Sequence, residues 1–423
     1  MGQSPTVVLG LGGCLDFEIV WATSVVQSLA DRYAVTAAEV DCHLVVDDER
    51  DLLRSVLGFM RDGVGGERFV AKPEVVEAFG AHFPGRVTLG GTSLRAAAAM
   101  NQHGLPSTVH LVSVDNRMRA LLPPRTAYIS SADRDSRQPH LIVQYPAGAR
   151  IILADGAIVA TRANRLIYVN DAPNREMVLS PGLGRLLESA DVFLVSGLNS
   201  VQDMDTLQTR LTELRALMDH IPSTSLVVFE DAGYHVPQTR ARVRDALIDR
   251  VDVYSMNEDE MEDLLGHRVD LLDPAEIGAA ALEITAAVKA PTIVVHTQYW
   301  SLAVGLESER FRNALGAGVS TASARYLIGD DVTLRDLHAM DGRDRHPGGA
   351  ALARALENLL PGRACCVAAP MLSPAHPTTV GLGDAFVGGF IAGIVAPRYQ
   401  QRLGGTNRKG STRSVEGETV GRC

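Results

Sequence analysis

Short β-branched runs alternate with longer amphipathic stretches along most of this chain, and that alternation limits the possible folds more than any other feature. "TVVLGLG", starting at Thr6, reads as a strand. "TSLRAAAAMNQHG" reads as a helix ending at Gly104, and the strand "STVHLVSV" follows it. Further along come the strands "DVFLVSG", "SLVVFED", "DVYSM" and "PTIVVHT", with the helices "DMDTLQTRLTELRALMDHI" and "PQTRARVRDALIDR" among them. Strands that are apolar throughout are buried on both faces, so a parallel sheet with helices on each side is expected. In such sheets ligands lie outside the carboxyl ends of the strands. The residues that close each strand are therefore the first candidates for chemistry.

Two stretches break the pattern. Residues 36–88 are mixed and charged, and 126–178 hold strand-like pairs joined by turn residues, as in "HLIVQYPAGARIILADGAIVATRANRLIYV". The expected organisation is a large α/β domain built from 1–20, 89–125 and 179–398, with a smaller β-rich lid from 21–88 and 126–178. The polar, glycine-rich residues 399–423 read as a disordered tail.

The net charge is −10, from 40 basic and 50 acidic residues spread along the chain, which gives nucleic-acid binding no electrostatic support. No apolar run reaches the ~20 residues of a membrane span. The start "MGQSPTVVLGLGG" lacks a basic segment followed by an apolar one, so a cytoplasmic protein is expected. The five cysteines show no CxxC spacing and read as free or buried thiols. A monomer or small homo-oligomer is expected.

"TVGLGDAF", from Thr379 to Phe386, is the most informative motif. Gly381 and Gly383 allow close backbone approach, and the apolar run after Asp384 supplies a helix. The first N–H groups of a helix lack partners and carry partial positive charge, so a glycine turn feeding a helix suits a phosphate. A carboxylate there is useful if it takes a proton from an incoming hydroxyl. Asp384 can also act simply as a helix cap.

In "NEDEMEDLLG", Asn257 and Glu260 stand at the spacing of a capping box. They also close a strand, where their oxygens suit a hydrated Mg²⁺. Glu230 and Asp231 end "SLVVFED" on the same side of the sheet. Arg165 in "RANRLIYV" has the planar fork that clamps phosphate, or is a solvated strand residue. Gly90 and Gly91 in "LGGTSLRAAAAM" give close approach to a ligand or close helix–strand packing. "GLGGCLDFE" departs from a dinucleotide fingerprint at Leu15, and no G-x-x-x-x-G-K-[ST] loop occurs.

Taken in order, "GERFV", "LGGTSLRAAAAM", "RANRLIYV", "LVSGLNS", "VVFEDA", "SMNEDEMEDLLG", "VVHTQYW" and "TTVGLGDAF" resemble the ADP-dependent glucokinase/phosphofructokinase family. That family is a branch of the ribokinase-like sugar kinases, and the likeness runs from about residue 8 to 395. It implies a ribokinase-like three-layer α/β/α sandwich with a smaller lid, and transfer of the β-phosphate of ADP to a sugar hydroxyl with Mg²⁺. By the same resemblance Asp384 is the catalytic base, and Gly381, Leu382 and Gly383 supply amides to an anion hole. Thr379, Val380, Asn257 and Arg165 fall on the nucleotide, while Glu260 and Glu230 fall on the metal. Asp16, Glu67, Gly90 and Gly91 fall on the acceptor, a sugar or sugar phosphate.

The chain departs from the family pattern in two places. Val228 stands at the histidine position of its H-x-E motif, and "GLGGCLD" lacks the asparagines of G-x-N-x-N-x-D. Glu67 aligns with a glutamate of members that take glucose. An ATP-dependent kinase of a sugar or nucleoside, or a silent sugar- or nucleotide-binding regulator, would share the same motifs.

Overall fold

The protein is described here from a computed structural model, covering residues 5–407 except 235, 375–377 and 379. The alternating segments assemble into a nine-stranded sheet. Its order is Ala364–Ala368, Trp300–Gly305, Thr292–His296, Val253–Asn257, Leu226–Glu230, Val192–Val195, Val7–Leu9, Ser107–Leu111 and Thr126–Ser130. Every pairing from Thr292–His296 through Thr126–Ser130 is parallel. Trp300–Gly305 runs antiparallel to both of its neighbours.

The apolar strands bury both faces, as their composition requires. Val7, Leu9, Leu194, Val228 and Val294 face one layer, with Leu94, Leu315, Phe386 and Phe390 from the helices Thr92–Gln102, Arg312–Ile328 and Leu382–Asn407. Val8, Phe193, Val195, Phe229 and Val295 face the other, with Leu207, Val243, Ile277 and Leu352 from Met204–Met218, Pro237–Leu247, Pro274–Val288 and Pro347–Leu359. The result is the expected three-layer α/β/α sandwich. Small residues let its last helix pack tightly. A Cβ on Gly388 would stand 2.6 Å from the Ala96 carbonyl oxygen, and one on Gly393 would stand 2.7 Å from Ala314 Cα.

A second, five-stranded mixed sheet has the order Gly66–Phe69, Asn164–Val169, Pro139–Tyr145, Cys14–Ile19 and Gly85–Gly90. Its core is shared with the helices Thr23–Arg32, Glu49–Asp62 and Pro73–Gly80.

Sheet membership differs from the expected boundaries in three places. Cys14–Ile19 and the whole of Gly85–Gly90 belong to the smaller sheet, because the chain leaves the large sheet after Leu9 and turns at Gly12 and Gly13. Thr126–Ser130 is the edge of the large sheet, not part of the smaller one. Its half-exposed pattern hides its membership, since an edge strand packs only one flank. The last helix continues to Asn407, into the segment expected to be a tail, and residues 408–423 lie outside those described.

Among the described residues no helix is long and apolar enough to cross a membrane, and Cys14, Cys42, Cys365 and Cys366 are buried free thiols.

Candidate active site

Three adjacent parallel strands end on polar side chains: Glu230, Asn257 and His296. Their carboxyl ends form one rim of the sheet, the side on which such folds bind ligands. Asn257 caps the following helix. Its side-chain oxygen accepts from the Glu260 N–H at 2.9 Å, and the Glu260 carboxylate accepts from the Asn257 N–H at 2.8 Å. The capping box is therefore formed, and it presents the buried Glu260 beside Glu230.

The electrostatics of this rim are unusual. Burial, with the nearby Glu230 charge adding to it, pushes the Glu260 carboxyl up to about 8. Burial also raises Glu230, whose Oε1 lies 3.0 Å from His296 Nε2 and whose Oε2 is buried without a hydrogen-bond partner. Burial works against charge on His296, but the Glu230 carboxylate outweighs it and raises the imidazole. The His296 ring stacks on Phe386 with centroids 4.5 Å apart. A Cβ on Gly383 would stand 3.2 Å from the His296 ring, so this glycine admits the imidazole next to the loop.

Asp384 sits in the first turn of the helix Leu382–Asn407, directly after the glycines. Gly381 has φ +66°, a conformation that disfavours any side chain. Asp384 Oδ1 accepts from the Thr92 hydroxyl at 2.7 Å, and its Oδ2 lies 3.7 Å from Arg95 Nε. Thr92 and Arg95 are three apart on the helix Thr92–Gln102, so both reach the same carboxylate from one face.

Arg95 is the hinge of this arrangement. Its Nη2 donates to Asp16 Oδ2 at 2.5 Å, and its side chain is only 5% exposed. Burial opposes its charge, but Asp16 and Asp384 outweigh that and hold it firmly protonated. Its Nη1 is buried without a partner, and a Cβ on Gly381 would stand 2.7 Å from it. The guanidinium therefore lies against the glycine turn with one donor unspent.

Gly90 and Gly91 bring the helix start against Asp16. A Cβ on Gly90 would collide with the Asp16 carboxylate, and one on Gly91 would stand 3.1 Å from Gly13 Cα.

The structure thus brings together Asp384, Gly381, Gly383 and Asp16 with Gly90 and Gly91, and places Glu230, Asn257 and Glu260 on the adjoining rim. Leu382 opens the helix, and the Val380 carbonyl accepts from Arg325 Nε at 3.0 Å. Glu67 and Arg165 lie on strands of the smaller sheet, the sheet that also carries Asp16. Glu67 is on the outer strand of the smaller sheet, with two strands between it and Asp16. Arg165 pairs with Gln144, four residues along its strand from His140, the neighbour of Asp16. Thr379 lies outside the described residues. Asp231 is structural, bonded to Arg240 and to the Tyr254 hydroxyl.

Sequence reasoning missed Thr92, Arg95 and His296. His296 obeys the strand-end rule that selects Glu230, and its ring meets Glu230 from the next strand, while Val228 is fully buried core. Arg95 had a signal too, as a lone charge in an alanine-rich helix.

A parallel sheet whose acid-bearing rim faces a glycine turn, with a carboxylate at the following helix start, defines a ribokinase-like phosphotransferase. The model for the conserved region of ADP-specific phosphofructokinase/glucokinase matches residues 5–391, and the chain belongs to that family. It is accordingly an ADP-dependent kinase acting on a sugar hydroxyl.

Solved structures agree on the fold. A hypothetical ADP-dependent phosphofructokinase from Pyrococcus horikoshii OT3 superposes with TM-score 0.75 at 15% identity, covering 94% of this chain and 99% of that one. The last common ancestor of ADP-dependent phosphofructokinases from Methanosarcinales gives 0.71 at 15% identity, over 93% and 94%. An ADP-dependent kinase in complex with fructose 6-phosphate and ADPβS gives 0.70 at 14% identity, over 92% and 94%. No curated protein sequence matches the chain.

Proposed function

We propose that Asp384 is the general base of this kinase and that the turn at Gly381–Gly383 holds the phosphoryl group in transit. The observation that carries this reading is the placement of Asp384. The carboxylate stands at a helix start beside a glycine turn, held by Thr92 and facing a buried arginine. The Thr92 hydroxyl occupies Oδ1 and leaves Oδ2 for the acceptor. As the acceptor oxygen attacks the β-phosphorus of ADP, its proton passes to Asp384. The bond from that phosphorus to the bridging oxygen breaks, and AMP departs with the electron pair. Unpaired amides at the helix start and the spare Arg95 donor offset the charge spread over the transferring oxygens.

Mg²⁺ fits the residues present. Glu230 and Glu260 are two buried carboxylates in mutual repulsion, and one Glu230 oxygen has no partner, a donor set of hard oxygens that a divalent cation would relieve. These two residues would hold the ion, directly or through its waters. When bound, it supplies charge neutralisation to the nucleotide phosphates.

The acceptor hydroxyl is assigned to the Asp16 side of the cleft. Acceptors of the glucose and fructose 6-phosphate type are the classes to test. In a panel with ADP, Asp384→Asn should slow product formation by roughly 10²- to 10⁴-fold on every acceptor that the wild type uses. Unchanged turnover in that variant would remove Asp384 from the mechanism.

A further inference from the structure

We infer that Cys14, Asp16 and His140 form a binding site for a thiophilic divalent cation, Zn²⁺ being the natural probe, and that the ion competes with the acceptor for Asp16. The thiol, carboxylate and imidazole donor atoms all lie within 4.8 Å of one another. Cys14 Sγ and Asp16 Oδ1 are 3.4 Å apart, close to the edge of a tetrahedral site with ~2.0–2.3 Å bonds.

The backbone explains the convergence. Cys14 and Asp16 are two apart on one strand and share a face, and His140 lies directly opposite Asp16 on the neighbouring strand. Across from Cys14 stands Gly90, where a Cβ would be 2.6 Å from the sulfur, so the space over the cluster depends on a residue without a side chain.

Each outer ligand is also anchored from behind. His140 Nε2 is 3.0 Å from Asp171 Oδ2, and the 2%-exposed Asp171 is itself held by the Asn174 N–H and side-chain amide. Burial disfavours charge on His140, but Cys14 and Asp171 outweigh it and raise the imidazole well above its usual range, so an ion that takes the other ring nitrogen displaces a proton from it. Asp16 spends Oδ2 on Arg95 and leaves Oδ1 toward the thiol. Carboxylate–histidine–metal relays of this kind fix ligand orientation.

The sulfur, nitrogen and oxygen set selects a borderline-soft ion such as Zn²⁺ and is unsuited to Mg²⁺, which separates this site from the Glu230–Glu260 rim. Binding converts the Cys14 thiol to a thiolate and releases its proton to solvent. Three protein ligands leave one position for water.

Ion binding stands apart from the kinase reading, while competition with the acceptor rests on it. The test is titration of chelator-stripped protein with Zn²⁺ alone, read by calorimetry and metal content, in a Cys423→Ser background. One equivalent should bind. Cys14→Ser and His140→Gln should each weaken binding by more than about 100-fold, and Asp171→Asn by roughly 10- to 100-fold. Circular dichroism and melting curves establish that each variant is folded. In turnover assays Zn²⁺ should raise the acceptor KM and leave the ADP KM unchanged. Absence of binding in the folded wild type, or binding untouched by Cys14→Ser and His140→Gln, overturns the site. Inhibition competitive with ADP overturns the link to the acceptor. A protein that binds one Zn²⁺ through these residues yet phosphorylates nothing retains the site and refutes the kinase reading alone.

Discussion

Replacing Glu260 by Gln should make the metal-free protein more stable, although it alters a residue assigned to metal binding. In the fold this carboxyl titrates at about 8 against an ordinary value of 4.5, chiefly because it is buried. The folded state therefore holds the proton more tightly than the unfolded chain, so stability falls as pH rises through that window. The linkage relation puts the cost at roughly 4 kcal/mol at pH 8 and about 1 kcal/mol at pH 5. Gln removes the titration and still offers an oxygen to the Asn257 N–H, so the cap survives. With an unfolding entropy of ~2.1 cal/mol/K per residue, each kcal/mol moves Tm of a chain this long by about 1 °C. Melting curves in EDTA should place E260Q above wild type by about 4 °C at pH 8 and about 1 °C at pH 5. Added Mg²⁺ should close the pH 8 gap by stabilising wild type alone. A difference equal at both pH values, or a destabilised variant, would show that burial does not raise the Glu260 carboxyl.

Other substitutions test the remaining parts. Asp384→Asn should lower kcat by roughly 10²- to 10⁴-fold with little change in Tm, since Asn still accepts from Thr92. Steady-state kinetics and melting curves read both effects. Arg95→Met leaves Asp16 buried without its cation and should cost roughly 3–5 kcal/mol, visible as a fall in Tm. Gly381→Ala puts a side chain at φ +66° and a Cβ 2.5 Å from Arg95 Cδ. Backbone strain should cost roughly 1–2 kcal/mol, read as a fall in Tm of about 1–2 °C, and kcat should fall more than the acceptor KM rises.

What the sequence disclosed follows from how local each signal is. The parallel sheet was legible because the burial of strands such as "SLVVFED" is written into consecutive residues. Asp384, Gly381 and Glu230 were legible because a glycine turn before a helix and an acid at a strand end are local patterns. The Asn257–Glu260 pair could be read as cap or ligand; the cap is formed, and the buried carboxylate it leaves is the part that bears on chemistry. Arg95 stayed hidden because its meaning depends on Asp16, 79 residues away, and on Asp384, whose Thr92 partner is 292 residues distant. Nothing near residue 95 announces either contact. The edge strand Thr126–Ser130 was assigned to the wrong sheet because exposure on one flank gives it the mixed pattern of the smaller unit.

In the proposed reaction Asp384 directs a sugar hydroxyl onto the β-phosphorus of ADP. The most direct measurement is a donor comparison with ADP and ATP over a sugar panel with Mg²⁺, following AMP release alongside the mass of the acceptor. The expected result is one AMP from ADP for each phosphorylated sugar, formed roughly 10²- to 10⁴-fold more slowly by the Asp384→Asn protein. ADP formed from ATP at a higher rate, or AMP release without a phosphorylated sugar, would contradict it.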